Sequence, residues 1–167
     1  MPAHLSAAER APLIEEYAEG AARLRAAWSR VPDEARQWRK GAGQWSAHEV
    51  VVHCGDSETY AATRIRLLVS EPEPLIVGYD QDRWASAFDY HSCSPELALD
   101  AVEAVRANTV PLLRRLDEAA WAKIGRHTES GAYGACDWLL SYAAHVTQHA
   151  RQIERNIEAF RTSAHSR

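Results

Sequence analysis

Two serine–glutamate pairs, Ser6 with Glu9 and Ser46 with Glu49, each stand ahead of a long run whose apolar residues recur every three or four positions. In such a pair the two side chains satisfy each other's backbone amides at a helix start, so each pair marks an N-terminus. Behind Ser6 the stripe is Leu13, Ile14, Tyr17, Ala21, Leu24 and Trp28, interleaved with Glu15, Glu16, Arg23 and Arg25 and ending near Val31-Pro32. Behind Ser46 it is Val50, Cys54, Ala61, Ile65 and Leu68, ending near Ser70. Helices with one apolar stripe must bury it against a partner, which demands more helices of the same kind.

The rest of the chain supplies them. Ser94-Pro95 places a capping residue before a proline in the first turn, and Ala98, Val102, Val105, Thr109, Leu112 and Leu116 carry a third helix, with a kink expected at Pro111. A fourth opens with Asp137, whose charge suits a helix start, and runs to about Phe160 with Leu139, Tyr142, Ala143, Val146, His149, Ile153 and Ile157 inward. Between the second and third lies a long crossing segment holding Glu71-Pro-Glu-Pro74 and Tyr79-Asp-Gln-Asp-Arg-Trp84, with a short helix expected over 82–89. No strand and no internal repeat is read. The expected fold is all-α, a four-helix bundle with a long crossing connection between helices 2 and 3. One domain is expected over 1–161, followed by a frayed tail at 162–167.

Composition removes several functions. The net charge is −4 and no run of lysines and arginines provides a footprint for nucleic acid. No segment has the apolar length of a membrane span and the N-terminus has no signal-peptide pattern, so a cytoplasmic protein is expected. Cys54, Cys93 and Cys136 lack metal-binding spacing and read as free thiols, Cys54 and Cys136 packed as small apolar groups.

The histidines point to chemistry. His145 and His149 are four apart on one helix, which sets both imidazoles on one side about a turn apart. His149 stands on the apolar face and His53 borders the stripe of the second helix, so the three can meet inside a bundle and leave metal positions open for water or substrate. His48 is about 140° around the helix from His53 and is expected to face solvent. His4, His91, His127 and His165 are expected at the surface. Glu49, a turn before His53, is a capping residue first and a carboxylate ligand second. Gln152 either orients a histidine through a hydrogen bond or is a surface residue.

The stretches Trp45 to His53, Tyr79 to Trp84 and His145 to Ile153 resemble, in order and separation, three signatures of the DinB-like superfamily, including its YfiT-type metal-dependent hydrolases and thiol S-transferases. The resemblance implies an up-down-down-up bundle. It also implies a divalent metal, zinc or nickel, on His53, His145 and His149, and a homodimer. On this basis the first function expected is a metal-dependent enzyme acting on a small molecule, a low-molecular-weight-thiol S-transferase in which the metal activates the thiol cosubstrate. Trp45, Tyr79 and Trp84 would then shape a pocket, if they are not simply packed. The alternatives are a hydrolase using a metal-bound water with Glu49 or Asp80 as base, and a non-catalytic metal- or small-molecule-binding stress protein.

Overall fold

The computed structural model describes the backbone of residues 1–165 and the side chains of residues 1–164. Both serine–glutamate pairs form reciprocal caps, at the starts of α1 (Ala7–Trp28) and α2 (Ala47–Ser70). The crossing segment holds strand β1 (Leu75–Ile76) and α3 (Gln81–Ala87) and leads to α4 (Pro95–Arg115), which continues through Pro111. A short α5 (Glu118–Trp121) precedes strands β2 (Ile124–His127) and β3 (Gly131–Gly134), after which α6 (Ala135–Ala143) and α7 (His145–His165) complete the chain. The helix thus continues past the start of the expected frayed tail, and residues 166 and 167 lie outside the described residues. No described helix is long and apolar enough to cross a membrane.

Two apolar clusters give the helix directions. One joins Leu24 and Trp28 at the end of α1, Val50 and Cys54 at the start of α2, Leu99 and Val102 at the start of α4, and Ile153 and Ile157 late in α7. The other joins Ile14 and Tyr17 early in α1, Ile65 and Leu68 late in α2, Val110 and Leu113 late in α4, and Ala135 to Ala143 in α6. Reading from cluster to cluster gives up, down, down, up. The parallel pair α2 and α4 needs the long crossing connection to return the chain to the first end. These two helices approach closely: a Cβ on Gly55 would lie 3.0 Å from the Cβ of Ala98.

Three expectations are corrected. The chain does contain a sheet, of order β1-β2-β3, with β1 parallel and β3 antiparallel to β2. Its strands of two to four residues are too short to show alternation, and Gly131, at φ 79°, turns the hairpin. The final helix is two helices, divided at Ala144. The buried face of α4 is Leu99, Val102, Arg106, Thr109, Val110 and Leu113, turned away from the expected stripe because a charge, Arg106, occupies an inward position.

Arg106 is 1% exposed and its partner Glu58 is fully buried. Its Nε and Nη2 donate to the two oxygens of Glu58 at 2.9 and 2.7 Å, Nη1 donates to the Tyr17 carbonyl at 2.5 Å, and Nη2 reaches the Tyr142 carbonyl at 3.3 Å. One guanidinium therefore joins α1, α2, α4 and α6 between the two clusters. Gly20 is required beside it, because a Cβ there would stand 2.3 Å from Nη1. Removing one partner strands the other charge in the core. Arg106→Met is expected to lower unfolding free energy by about 3–5 kcal/mol, and Glu58→Leu/Arg106→Met to be more stable than that single variant; urea unfolding checks both.

Candidate metal centre

Helix α2 is buried almost all round at its start, from Ala47 to Gly55, because α4, α7 and the turn at Tyr90–Ser92 pack on different sides of it. His53, at the border of the apolar stripe, is therefore only 1% exposed. The first turns of α7 bring His145 and His149 against it. Ring centroids are 5.6 Å apart for His53 and His145, 4.9 Å for His53 and His149, and 4.6 Å for His145 and His149. One ligand-capable nitrogen from each lies within 4.8 Å of the others.

The hydrogen bonding suits a shared cation. Both nitrogens of His53 and Nδ1 of His145 are buried and have no partner, an unusual state for polar atoms in a core, and an ion would satisfy one of the two nitrogens of His53. His149 Nδ1 faces Gln152 Oε1 at 2.8 Å, so it carries the proton and leaves the Nε2 lone pair free. The Nε2 atoms of His145 and His149 converge at 3.2 Å. Two nitrogens each about 2.0–2.1 Å from one tetrahedral ion stand about 3.3 Å apart, so this pair fits such a group.

Aromatic rings close the cluster at two ends. Trp45 stacks 4.9 Å from His53, with its carbonyl held by Asn156 Nδ2 at 3.0 Å, and Tyr142 lies 5.6 Å from His145. Trp45 and Gln152 thus lie against the histidines. Tyr79 and Trp84 instead pack on each other at 4.3 Å and on Tyr60 at 5.3 and 5.9 Å, further along α2. Glu49 is directed elsewhere: its carboxylate accepts from the Ser46 amide at 2.9 Å and from Arg39 Nε at 2.9 Å. Burial opposes its charge, but the bonds from Arg39 and Ser46 outweigh this and hold it below the ordinary carboxylate range.

His48 is buried, which corrects its expected exposure. The turn at Tyr90–Ser92 folds over the start of α2, and His48 Nε2 lies 2.9 Å from the Cys93 carbonyl. His91 is likewise half-buried, with Nε2 2.9 Å from Ser46 Oγ, and His127 is half-buried on β2. His4 is exposed, and the side chain of His165 lies outside the described residues. Tyr142, whose ring lies 5.6 Å from His145, is marked in the sequence only as part of the inward stripe, and Arg64, whose Nη1 donates to the Tyr142 hydroxyl at 2.8 Å, sits eleven residues after His53, about three turns on and so on nearly the same face.

Burial lowers His53 to about 3, helped by His149, and lowers His145 to about 2, helped by His149, His53 and Arg106. Both rings are neutral near pH 7, the form that binds metal. Below about pH 6.5 the unfolded chain takes protons that the folded chain refuses, so stability falls as pH falls, until the folded values are reached. Metal-free protein is expected to lose stability below pH 6.5 with a slope approaching about 1.4 kcal/mol per pH unit for His53, and His53→Phe to remove that share. Urea unfolding between pH 7 and pH 5 reads it; equal slopes in the two proteins would contradict a buried neutral His53.

Known proteins share this architecture. The DinB superfamily profile matches residues 16–153. A protein of Oceanobacillus iheyensis named "putative metal-dependent hydrolase" is 31% identical over 112 residues, covering 67% of this chain and 64% of its own length. This chain therefore matches just under two thirds of that relative. YfiT of Bacillus subtilis, which bears the same description, is 24% identical over 148 residues, covering 84% of this chain and 83% of its own. The solved YfiT structure, titled a "probable metal-dependent hydrolase with an unusual four-helix bundle topology", superposes with a TM-score of 0.84 at 23% identity, over 92% of this chain and 88% of that one. The chain belongs to the DinB superfamily.

Proposed function

We propose that the chain is a divalent-metal-dependent enzyme whose ion, zinc or nickel, is held by His53, His145 and His149, and that it acts as a low-molecular-weight-thiol S-transferase. The observation that carries this reading is the donor set. Three neutral imidazoles converge, His53 has a buried nitrogen with no other partner to offer an ion, the Nε2 atoms of His145 and His149 face each other, and no carboxylate joins the group among the described residues. A divalent ion there lowers the pKa of a coordinated thiol or water and so supplies a nucleophile near neutral pH.

The chain's own residues favour a thiol. A thiol ordinarily titrates near about 8.5 and needs little help from a base, whereas water needs a proton acceptor nearby. Glu49 is engaged by Arg39 and Ser46, and Asp80 Oδ1 accepts from the amides of Asp82 and Arg83, both at 3.0 Å, as the cap of α3. Gln152 fixes the tautomer of His149, and Trp45 shields His53 from water. A cavity of about 460 Å³ is lined by Arg39, Gln44, Trp45, Glu49, Tyr90 and His91, and of these only Trp45 also touches the histidine cluster. The hydrolase reading keeps the same ligands and is supported by the names of the relatives.

The untagged protein is expected to carry close to one divalent ion per chain by elemental mass spectrometry, and His149→Ala to lose it. The loaded protein should accelerate thioether formation between a small thiol and an activated aryl chloride. Ester hydrolysis that needs no thiol would select the hydrolase instead, and a parent that takes up no metal would overturn both.

A further inference from the structure

Three arginines are more than nine-tenths buried: Arg10, Arg64 and Arg106. Arg10 pairs with Glu118 and Arg106 with Glu58. Arg64 alone of these has no carboxylate oxygen within 4.0 Å among the described residues. A buried cation without a counter-charge is costly, and proteins retain such groups where a ligand supplies the missing charge.

The setting of Arg64 fits that role. Its Nη1 donates to the Tyr142 hydroxyl at 2.8 Å and its Nη2 to the Val77 carbonyl at 2.6 Å, while Nε is buried without a partner. A guanidinium has five N–H donors, so three remain unused. Its carbon lies 4.4 Å from the Tyr60 ring centre and 5.7 Å from that of Tyr79. Tyr142 accepts the bond from Arg64, which frees its own O–H to donate. The same phenol ring meets His145 edge-on, with ring centroids 5.6 Å apart. Arg64 and the histidine cluster are thus joined by one side chain. The cover over Arg64 is thin, since Tyr60 and Tyr79 are only half-buried and Val77 is 49% exposed.

We infer that Arg64 and Tyr142 form a binding subsite for an oxyanion, the carboxylate of a small substrate, beside the three-histidine centre. The charges agree: three neutral imidazoles leave a divalent ion's charge uncompensated, and Arg64 adds another, so a substrate bearing negative charge balances the pair. The inference deepens the enzyme reading above by naming its substrate class, yet the binding itself needs no metal.

The test is calorimetric titration of the full chain, metal-loaded and chelator-treated, with glutarate and with inorganic phosphate as probes. Wild type is expected to bind glutarate with a millimolar or tighter Kd, Arg64→Met to weaken it about tenfold or more, and Tyr142→Phe several-fold. Arg66→Met, on the same helix but bonded to Asn108, is expected to leave binding unchanged. If Arg64→Met does not fold, Arg64→Lys, which keeps the charge and loses the fork, is expected to bind about fivefold more weakly. Tighter binding of phosphate than of glutarate, with the same dependence on Arg64, would keep the oxyanion subsite and assign it to a phosphorylated substrate. No saturable binding of either anion, or an affinity unchanged by substitution of Arg64, overturns the inference. Arg64-dependent binding in a protein that takes up no metal would leave this subsite standing and remove the enzyme reading.

Discussion

The buried pair of Glu58 and Arg106 is the constraint on which the rest of the bundle depends. It sits between the two apolar clusters, where four helices meet, and its geometry leaves little freedom: one carboxylate, two carbonyls and the face of Tyr17 surround a single guanidinium. Apolar side chains alone would permit helices to slide or rotate by a residue with modest loss. A fully bonded ion pair in a dry interior does not, because each shift strands a charge. The pair therefore sets the rotation of α4 and the height of α6 relative to α2.

That setting reaches the histidine cluster. Arg106 bonds the carbonyl of Tyr142, two residues before the division at Ala144, and His145 is the first residue of α7. The break re-aims the chain just as it delivers its first imidazole towards His53. On the other side of the cluster, Gln152 fixes His149 and Asn156 fixes the Trp45 loop, both from the same face of α7. The three histidines are thus held by elements that also pack the core, so their convergence costs no separate scaffold.

Much of this was legible in the sequence where the cause is local. The two caps at Ser6 and Ser46, the stripes of α1 and α2 and the four-residue spacing of His145 and His149 each depend on neighbours within a turn or two. What escaped depends on distant partners. The division at Ala144 carries no glycine or proline, and a guanidinium from α4 bonds the carbonyl beside it. The buried face of α4 was misplaced because Arg106 breaks an apolar pattern unless Glu58 is known to face it. Helix geometry alone turns His48 to solvent, because its cover, the turn after the left-handed Asp89, comes from forty residues later. The three strands are too short for their pairing to be visible before the fold is known.

The position of the histidines in the up-down-down-up order has a consequence for biogenesis. His53 belongs to the second helix, whereas His145 and His149 belong to the last, and every other long helix is synthesised between or before them. A nascent chain can collapse its first three helices with His53 already placed, but the three-histidine set does not exist until α7 docks. An ion held by this cluster would therefore be acquired late in the life of the chain, and one that bound only the finished cluster would act as a latch on the C-terminal helix, drawing the last docking step to completion by mass action.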